Sequence, residues 1–243
     1  TSGALAGPKG YVISWVEREL NQLGFTDEQL LIGGYIIKTT LVKDAQEAAV
    51  AAVNKEAPTK APENLHIGLV AIKPGTGEIL AMYGGQDYLK YQFNAATQGI
   101  TSGGSSFKAF TLVAALEEGI PLTSVWNGDS PKVYDDGIGR PYQVNNYGSE
   151  SWGNMSLLTA TEKSVNTIYV PLGMKAGLEK VVDVARRAGI PDSVEMIASP
   201  SVSLGAASPH VIDLANAYAT FAAQGVYAKP FIINEVQGPN KGI

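Results

Sequence analysis

Residues 101–116, TSGGSSFKAFTLVAAL, join a Gly-Gly turn to Ser105, Lys108 and an apolar run typical of a buried helix. The glycines give the turn its backbone freedom. A serine in the first helical turn lies near free backbone N–H groups and the positive end of the helix dipole. Because Ser105 and Lys108 are three residues apart, they share one helix face and can hydrogen-bond. This S-x-x-K arrangement, in which a lysine amine takes the proton of a serine hydroxyl, predicts a nucleophile site.

A purely structural interpretation of the same two residues stays open. Ser105 would then only cap the helix, and Lys108 would be a solvated residue of its first turn. A lysine that acts as a base has to be desolvated, because the pKa of a free lysine is about 10.4. The strongly apolar run 107–118 favours packing against a sheet, which would bury Lys108 and leave Ser105 at the solvent-facing end.

The amino-acid composition limits which classes of protein this chain can belong to. The 243 residues are 45% hydrophobic and 17% charged, which is typical of a globular protein with one large domain or one plus a small appendage. The net charge of -5 provides no basic surface for nucleic acid or anionic lipid. No apolar run approaches the roughly 20 residues that span a bilayer. Any membrane contact is therefore expected through an anchor outside this chain.

The residues that usually hold metals are scarce. The sequence has no cysteine and only two histidines, His66 and His210, which excludes thiolate sites and a three-histidine zinc site. His66 opens an apolar strand-like run and His210 begins a helix, so we expect both to be structural. Lysine is then the best candidate base, and we expect no metal or cofactor.

Periodicity and turn residues predict an α+β fold, an antiparallel sheet with a helical subregion on one side. Residues 57–64, APTKAPEN, mark a boundary because they hold two prolines among polar residues. The predicted helices are 8–23, a short turn after 26, 43–55, 107–118, 155–166, 178–188 and 209–223. The predicted strands are 35–41, a hairpin around 74–77 and 226–236, with 87–100 and the rim 126–151 irregular.

A second polar cluster, Ser164-Val165-Asn166, follows the irregular rim at the end of a predicted helix. A hydroxyl and an amide two residues apart can relay a proton and hold a substrate amide, as in the S-D-N element. Taken alone, the cluster is more typical of a helix end, but in combination with the S-x-x-K motif the functional interpretation is favoured.

Several blocks together resemble a known family. These are GGSSFKAFTLVAALEEGI at 103–120, NNYGSESWGNMSLLTATEKSVNTIYVPL at 145–172 and SVSLGAASPHVIDLANAYATFAAQGVYAKPF at 201–231. In order and spacing they are similar to the transpeptidase domain of penicillin-binding proteins. The stretches 33–53 and 71–85 resemble the linker and first strands of the bifunctional, class A type. The resemblance covers nearly the whole chain from about residue 30.

The resemblance implies a β-lactamase/transpeptidase-like fold and a role for each motif residue. Ser105 would be the acylated nucleophile, with its backbone N–H forming half of the oxyanion hole, and Lys108 its general base. Ser164 would pass a proton toward the leaving amine, and Asn166 would bind the substrate peptide. Trp152 in the rim would line the substrate groove. The implied domains are a linker or small α+β appendage at 1–62 and the N-terminal portion of the transpeptidase domain at 63–243.

The sequence departs from the family pattern in two ways. A glycosyltransferase domain is not found before the linker, and the Lys-Thr/Ser-Gly element is absent, since Lys241-Gly242-Ile243 lacks the hydroxyl residue. We therefore expect the sheet to be incomplete in this chain, with open edges at the strands near Ala71 and Met82. A second chain or missing segment would carry the Lys-Thr/Ser-Gly strand.

The implied function is a serine D,D-transpeptidase that cross-links peptidoglycan stem peptides at the extracytoplasmic face of a bacterial membrane. β-Lactams would inhibit it by acylating Ser105. A D,D-carboxypeptidase, a β-lactamase-like hydrolase and a non-catalytic β-lactam-sensing or scaffold domain remain as alternatives.

Overall fold

The computed structural model describes residues 2–60, 62, 64–136 and 138–238. Two compact units make up the chain, one from Thr1–Ile100 with His210–Ile243 and the other from Thr101–Pro209. The α-helices among the described residues are α1 (Lys9–Gln22), α2 (Asp27–Ile32), α3 (Lys43–Glu56), α4 (Lys108–Glu117), α5 (Leu157–Glu162), α6 (Asn166–Ala176), α7 (Leu178–Ala188) and α8 (Val211–Ala222). The strands are β1 (Ile36–Thr39), β2 (Leu69–Ile72), β3 (Ile79–Tyr83), β4 (Val125–Asn127), β5 (Lys132–Asp135), β6 (Pro141–Val144), β7 (Asn154–Ser156) and β8 (Ile233–Gln237).

The first unit contains two antiparallel strand pairs, β1 with β8 and β2 with β3. Further backbone hydrogen bonds join the pairs. The N–H of Ile79 donates to the carbonyl of Phe231 at 3.0 Å, and the N–H of Val42 donates to that of Leu80 at 3.0 Å. The hydroxyl of Thr40 donates to the carbonyl of Ile79 at 2.7 Å.

Helices α1 and α8 cover these strands with apolar side chains. Glu19 of α1 also accepts hydrogen bonds from the N–H groups of Ile232 and Ile233, at 3.1 and 3.0 Å. The helix therefore both buries the strands and provides an acceptor for two backbone N–H groups around the start of β8. The buried cluster at the centre consists of Val12, Ile79, Met82, Ala96, Ile212 and Ile232.

The strand edges of this unit differ. Gln46 of α3 donates to the carbonyl of Met82 at 2.8 Å and accepts from its N–H at 2.8 Å. The expected open edge near Met82 is therefore wrong, because a glutamine side chain pairs with its backbone. The strand near Ala71 is different: among the described strands, β2 pairs with β3 alone.

In the second unit, α4 packs against α6 and α7. Phe107 and Phe110 anchor this contact, both fully buried and edge to face with ring centroids 5.0 Å apart. Two antiparallel pairs, β4 with β7 and β5 with β6, lie in the same unit.

The α+β class is confirmed, as are the short helical turn after residue 26, the β2–β3 hairpin and the helix at 178–188. Two predictions are wrong. The rim 126–151 is not wholly irregular, because β5 and β6 form a hairpin within it. The helix predicted at 155–166 stops at Glu162, and Asn166 begins the next helix.

None of the helices in the described ranges is both long and apolar enough to span a membrane. Lys241-Gly242-Ile243 lies outside the described residues.

Candidate active site

Ser105 lies in a 3-10 turn, Gly104–Phe107, that runs directly into α4. The sequence predicted the first turn of an α-helix at this place. In the tighter 3-10 geometry, residues three apart eclipse each other, so Ser105 stands directly beside Lys108. Ser105 is exposed, whereas Lys108 is buried, with a relative solvent exposure of only 5%. The turn thus presents a hydroxyl to solvent next to a buried amine.

A second segment of the same unit holds this turn in place. The N–H of Gly103 donates to the carbonyl of Ala207 at 2.9 Å, and the N–H of Gly104 donates to that of Gly205 at 3.3 Å. Gly205 has a φ of 75°, and a Cβ there would lie 2.2 Å from the carbonyl oxygen of Gly104. Only glycine fits this position, which ties residues 205–207 to the geometry of Ser105.

The Nζ of Lys108 is the centre of the polar cluster. It lies 2.8 Å from Ser105 Oγ, 2.9 Å from Ser164 Oγ, 3.1 Å from the Ser164 carbonyl oxygen and 2.7 Å from Asn166 Oδ1. Burial lowers the pKa of Lys108 to about 8, because the charged ammonium loses hydration inside the protein. All four motif residues predicted from the sequence therefore meet at one nitrogen.

Ser164 reaches the amine because the chain turns sharply there. It follows the end of α5 in the left-handed region, with a φ of 55°. Helices often end with such a residue, but it is usually glycine, since other side chains are strained there. At this turn both the hydroxyl and the carbonyl of Ser164 face Lys108.

The side-chain amide of Asn166 is held at both ends. Its Oδ1 accepts from Lys108, and its Nδ2 donates to the backbone carbonyl of Asn145 at 2.9 Å. An amide fixed in this way cannot rotate without breaking one of the two bonds.

Asn146, a residue that the sequence did not single out, fastens the rim to the start of α6. Its Nδ2 donates to the carbonyls of Gly128 and Glu150, at 3.0 and 2.9 Å. Its Oδ1 accepts from the N–H and the hydroxyl of Thr167, at 3.0 and 3.1 Å. Asn146 is 6% exposed and uses its full hydrogen-bonding capacity. It therefore fixes the residue directly after Asn166.

Tyr134 of the rim hairpin makes a further contact with α6. Pro171 lies inside that helix and has no N–H, so the carbonyl four residues earlier, that of Thr167, lacks its helical donor. The Tyr134 hydroxyl donates to this carbonyl at 2.7 Å. The proline thus creates the acceptor that binds the rim.

Trp152 is half-buried in the rim, and the Nζ of Lys163 lies 4.3 Å from the centre of its ring. Lys163 directly precedes Ser164. Among the described residues no hydrogen bond joins Trp152 to Ser105 or Lys108, so its place in a substrate groove stays a prediction.

Both histidines have partners within the first unit. His66 stacks on Tyr91, and His210 pairs with Asp213 at 2.9 Å at the start of α8. In the part of the chain that the structure describes, no group of three or more potential ligands could hold a metal ion.

Comparisons with known proteins identify the family of the chain. Residues 67–242 match the family model described as the penicillin binding protein transpeptidase domain. The chain is 36% identical over 249 residues to penicillin-binding protein 1A of Mycobacterium tuberculosis, an alignment that covers 96% of this chain and 29% of that protein. Identity to penicillin-binding protein 1A of Mycolicibacterium smegmatis is 38% over 245 residues, covering 95% and 30%. The chain thus spans less than a third of the length of these curated relatives.

A solved structure gives the same result for the fold. The PonA1 protein from Mycobacterium tuberculosis in complex with penicillin V superposes with a TM-score of 0.86 at 34% identity, covering 98% of this chain and 65% of that one. The transpeptidase-like fold expected from the sequence is therefore confirmed. By sequence and by fold, this chain belongs to the penicillin-binding protein transpeptidase family, of the class A type that includes penicillin-binding protein 1A.

Proposed function

We propose that this chain carries the acyl-transfer site of a serine D,D-transpeptidase that cross-links peptidoglycan stem peptides. The observation that carries the proposal is the 2.8 Å distance between Lys108 Nζ and Ser105 Oγ, with Ser164 and Asn166 on the same nitrogen. A buried amine with a lowered pKa beside an exposed hydroxyl is the arrangement that activates a serine.

In the proposed reaction, Ser105 Oγ attacks the penultimate D-Ala carbonyl while its proton moves to Lys108 Nζ. The N–H of Ser105 supports the oxyanion. When the C–N bond breaks, Lys108 returns the proton through Ser164 to the leaving D-Ala amine. The amine of a second stem peptide then attacks the acyl-enzyme and releases Ser105. Asn166 binds the backbone of the donor peptide, and Trp152 lines its groove.

A β-lactamase-like hydrolase would need a carboxylate that activates the deacylating water. Among the described residues, no carboxylate hydrogen-bonds to Ser105 or Lys108, so none is held there to activate water. We propose that a Lys-Thr/Ser-Gly strand from another segment or chain completes the site. The reaction would take place at the extracytoplasmic face of the bacterial membrane, where the stem peptides are.

Penicillin labelling followed by intact mass spectrometry tests the nucleophile. We expect one penicillin adduct on the wild-type protein, assembled with the segment or chain that completes the site, and on its Ser106→Ala variant, and none on Ser105→Ala. Ser106 is the matched control because it is the neighbouring serine of the same turn. An adduct on Ser105→Ala would refute the assignment.

The products formed from a stem peptide ending in D-Ala-D-Ala test the reaction type. With an acceptor amine present, we expect a cross-linked peptide and released D-Ala. Hydrolysed peptide alone would indicate a carboxypeptidase, and rapid turnover of penicillin a β-lactamase-like hydrolase. A stable adduct with no product from stem peptides would indicate a sensing or scaffold role.

A further inference from the structure

A cleft of about 640 Å³ lies within the first unit. That volume is within the range of small-molecule sites, which combine aromatic walls with a few polar groups. Its described lining includes none of the residues that the proposed acyl transfer uses.

Three rings form one wall of this cleft. The ring of His66 stacks on that of Tyr91 with centroids 5.0 Å apart and planes 4° from parallel. Phe93 packs against both, at 5.4 Å from His66 and 5.9 Å from Tyr91. Tyr91 remains 51% exposed. The wall therefore offers flat apolar surface to a ligand rather than to the protein core.

Tyr83 contributes a polar group from the interior of the cleft. The residue is only 2% exposed, yet its hydroxyl has no hydrogen-bond partner among the described residues. Burial raises its pKa, so it is a neutral phenol that can both donate and accept. The neighbouring Tyr11, by contrast, donates to the carbonyl of Tyr91. A hydroxyl that lines a cleft and has no protein partner can pair with a ligand or with water.

Further unused polar groups surround the rings. Asp87 Oδ1 accepts from the N–H groups of Gly7 and Leu89, at 3.0 and 3.2 Å, whereas its Oδ2 has no partner in the described residues. The side chains of Gln86 and Lys90 also line the cleft, and within the described ranges neither makes a hydrogen bond or ion pair. The cleft thus joins an apolar face to separate donors and acceptors.

We propose that this cleft is a saccharide-binding site. A pyranose ring has an apolar C–H face that packs on an aromatic ring, and hydroxyls around its edge that need donors and acceptors. Tyr91 and Phe93 meet the first requirement, and Tyr83, Gln86 and Asp87 meet the second. An extended peptide would instead need a row of paired backbone groups, which this wall of rings does not offer.

The proposal goes beyond acyl transfer and does not depend on it. Only the choice of probe follows from the proposed function, because stem peptides are carried on glycan strands of N-acetylated hexoses. The probe is therefore the β-1,4-linked tetrasaccharide of N-acetylglucosamine.

Saturation-transfer NMR titration of the 243-residue chain with this tetrasaccharide tests the site. We expect binding that Tyr91→Ala weakens about tenfold or more through lost ring contact. Tyr83→Phe should weaken it several-fold while keeping the ring, so the test survives if Tyr91→Ala does not fold. Tyr227→Ala is the matched control, since Tyr227 is 48% exposed in the same unit and outside the cleft lining, and it should bind as the wild type does.

Absence of binding at millimolar tetrasaccharide, or equal affinity in Tyr91→Ala, Tyr83→Phe and wild type, would overturn the saccharide assignment. Binding of a stem peptide instead, weakened by Tyr91→Ala, would overturn it in favour of a peptide. Penicillin labelling of the same variants separates the two proposals. If the protein binds the saccharide, but penicillin does not label it even when the segment or chain that completes the site is present, acyl transfer alone is refuted.

Discussion

At the scale of single residues, the atoms around Lys108 Nζ restrict where its lone pair can point. The carbonyl oxygen of Ser164 and Oδ1 of Asn166 can only accept hydrogen bonds, so they take the two N–H groups of the neutral amine. The remaining direction faces the hydroxyls of Ser105 and Ser164, and either can donate to the lone pair. The neutral amine is thus already oriented as a base toward the nucleophile.

The pKa of Lys108 gives a prediction for the pH dependence of acylation. Since that pKa is about 8, Lys108 is neutral in only a minority of the molecules at pH 7, and only these molecules are active. Below the pKa, the rate constant for penicillin acylation should rise about tenfold per pH unit, and it should level off above it. Stopped-flow labelling between about pH 6 and about pH 10 measures the profile.

Lys108→Ala is the control for this profile. It should acylate about a hundredfold or more slowly, and its slow reaction should not show the rise centred near the Lys108 pKa. A wild-type rate that stays flat from pH 6 to about 9 would contradict a lysine base.

Asn146 is predicted to position Asn166 for the reaction. Asn146→Ala leaves the N–H of Thr167 and two rim carbonyls without their partner, so Asn166 should lose its fixed place on Lys108. We expect acylation to slow about tenfold or more. The pKa that governs the rate should also fall, because Asn166 Oδ1 favours the charged amine.

Asn145→Ala is the matched control, since Asn145 is exposed and holds Asn166 through its backbone carbonyl only. Both variants are measured well below their melting temperatures. If Asn146→Ala acylates like Asn145→Ala, with the same pH midpoint, the positioning role is wrong.

At the scale of secondary structure elements, the first turn of α6 has a carbonyl, that of Thr167, whose usual helical N–H donor is absent because residue 171 is proline. The Tyr134 hydroxyl replaces the N–H that Pro171 lacks at the carbonyl of Thr167. Tyr134→Phe should therefore lower the free energy of unfolding by about 1 kcal/mol. In a Pro171→Ala background, the N–H of residue 171 can donate to the Thr167 carbonyl. Tyr134→Phe should then lower the free energy of unfolding by less.

Urea unfolding of the wild type, both single variants and the double variant gives the coupling between these two positions. A positive coupling, in which Pro171→Ala softens the loss from Tyr134→Phe, is expected. Equal losses in the two backgrounds would show that the hydroxyl does not substitute for the helical donor.

The elements also explain which parts of the site could be predicted from the sequence. Ser105 and Lys108 were accessible because their contact is local, at i and i+3. Ser164 and Asn166 were found through family resemblance, but the break between them was missed, because a left-handed serine leaves no periodic signal. Pro171, five residues after Asn166 in α6, was the one feature of the sequence that indicated a helix carbonyl in need of a hydrogen-bond donor from outside the helix.

Asn146 could not be found in this way, because its partners lie as far as 21 residues away in sequence. Its buried place follows from how the rim folds over α6, which composition and periodicity do not encode. The same holds for Gly205, whose importance comes from the approach of Gly104 across the unit. Tertiary contacts, rather than local propensity, decide both.

At the scale of the whole molecule, the two compact units of the chain do not meet at the predicted boundary near residue 62. Residues 1–100 join the C-terminal part in one unit, because β1 pairs with β8 across nearly the full length of the chain. The division into a linker or small appendage at 1–62 and a transpeptidase portion at 63–243 stays a prediction.

The same topology leaves one strand with a free side. Among the described strands, β2 pairs only with β3, whereas Gln46 covers the backbone of β3 at Met82. An unpaired strand edge presents N–H and C=O groups that can pair with a second copy of the chain. Val70 and Ile72 pack against the core, so Leu69 and Ala71 lie on the opposite face by strand alternation.

We therefore expect the isolated chain to self-associate through β2, with a sedimentation coefficient that rises with protein concentration. Leu69→Lys places a charge on this edge strand without touching the core face, and it should shift the chain toward monomer. Val133→Lys is the control, since it adds the same charge to β5 at a residue that is 62% exposed. Sedimentation velocity over a wide concentration range measures all three proteins. A wild-type chain that remains monomeric throughout, or an equal effect of both lysines, would mean that the edge of β2 does not drive association.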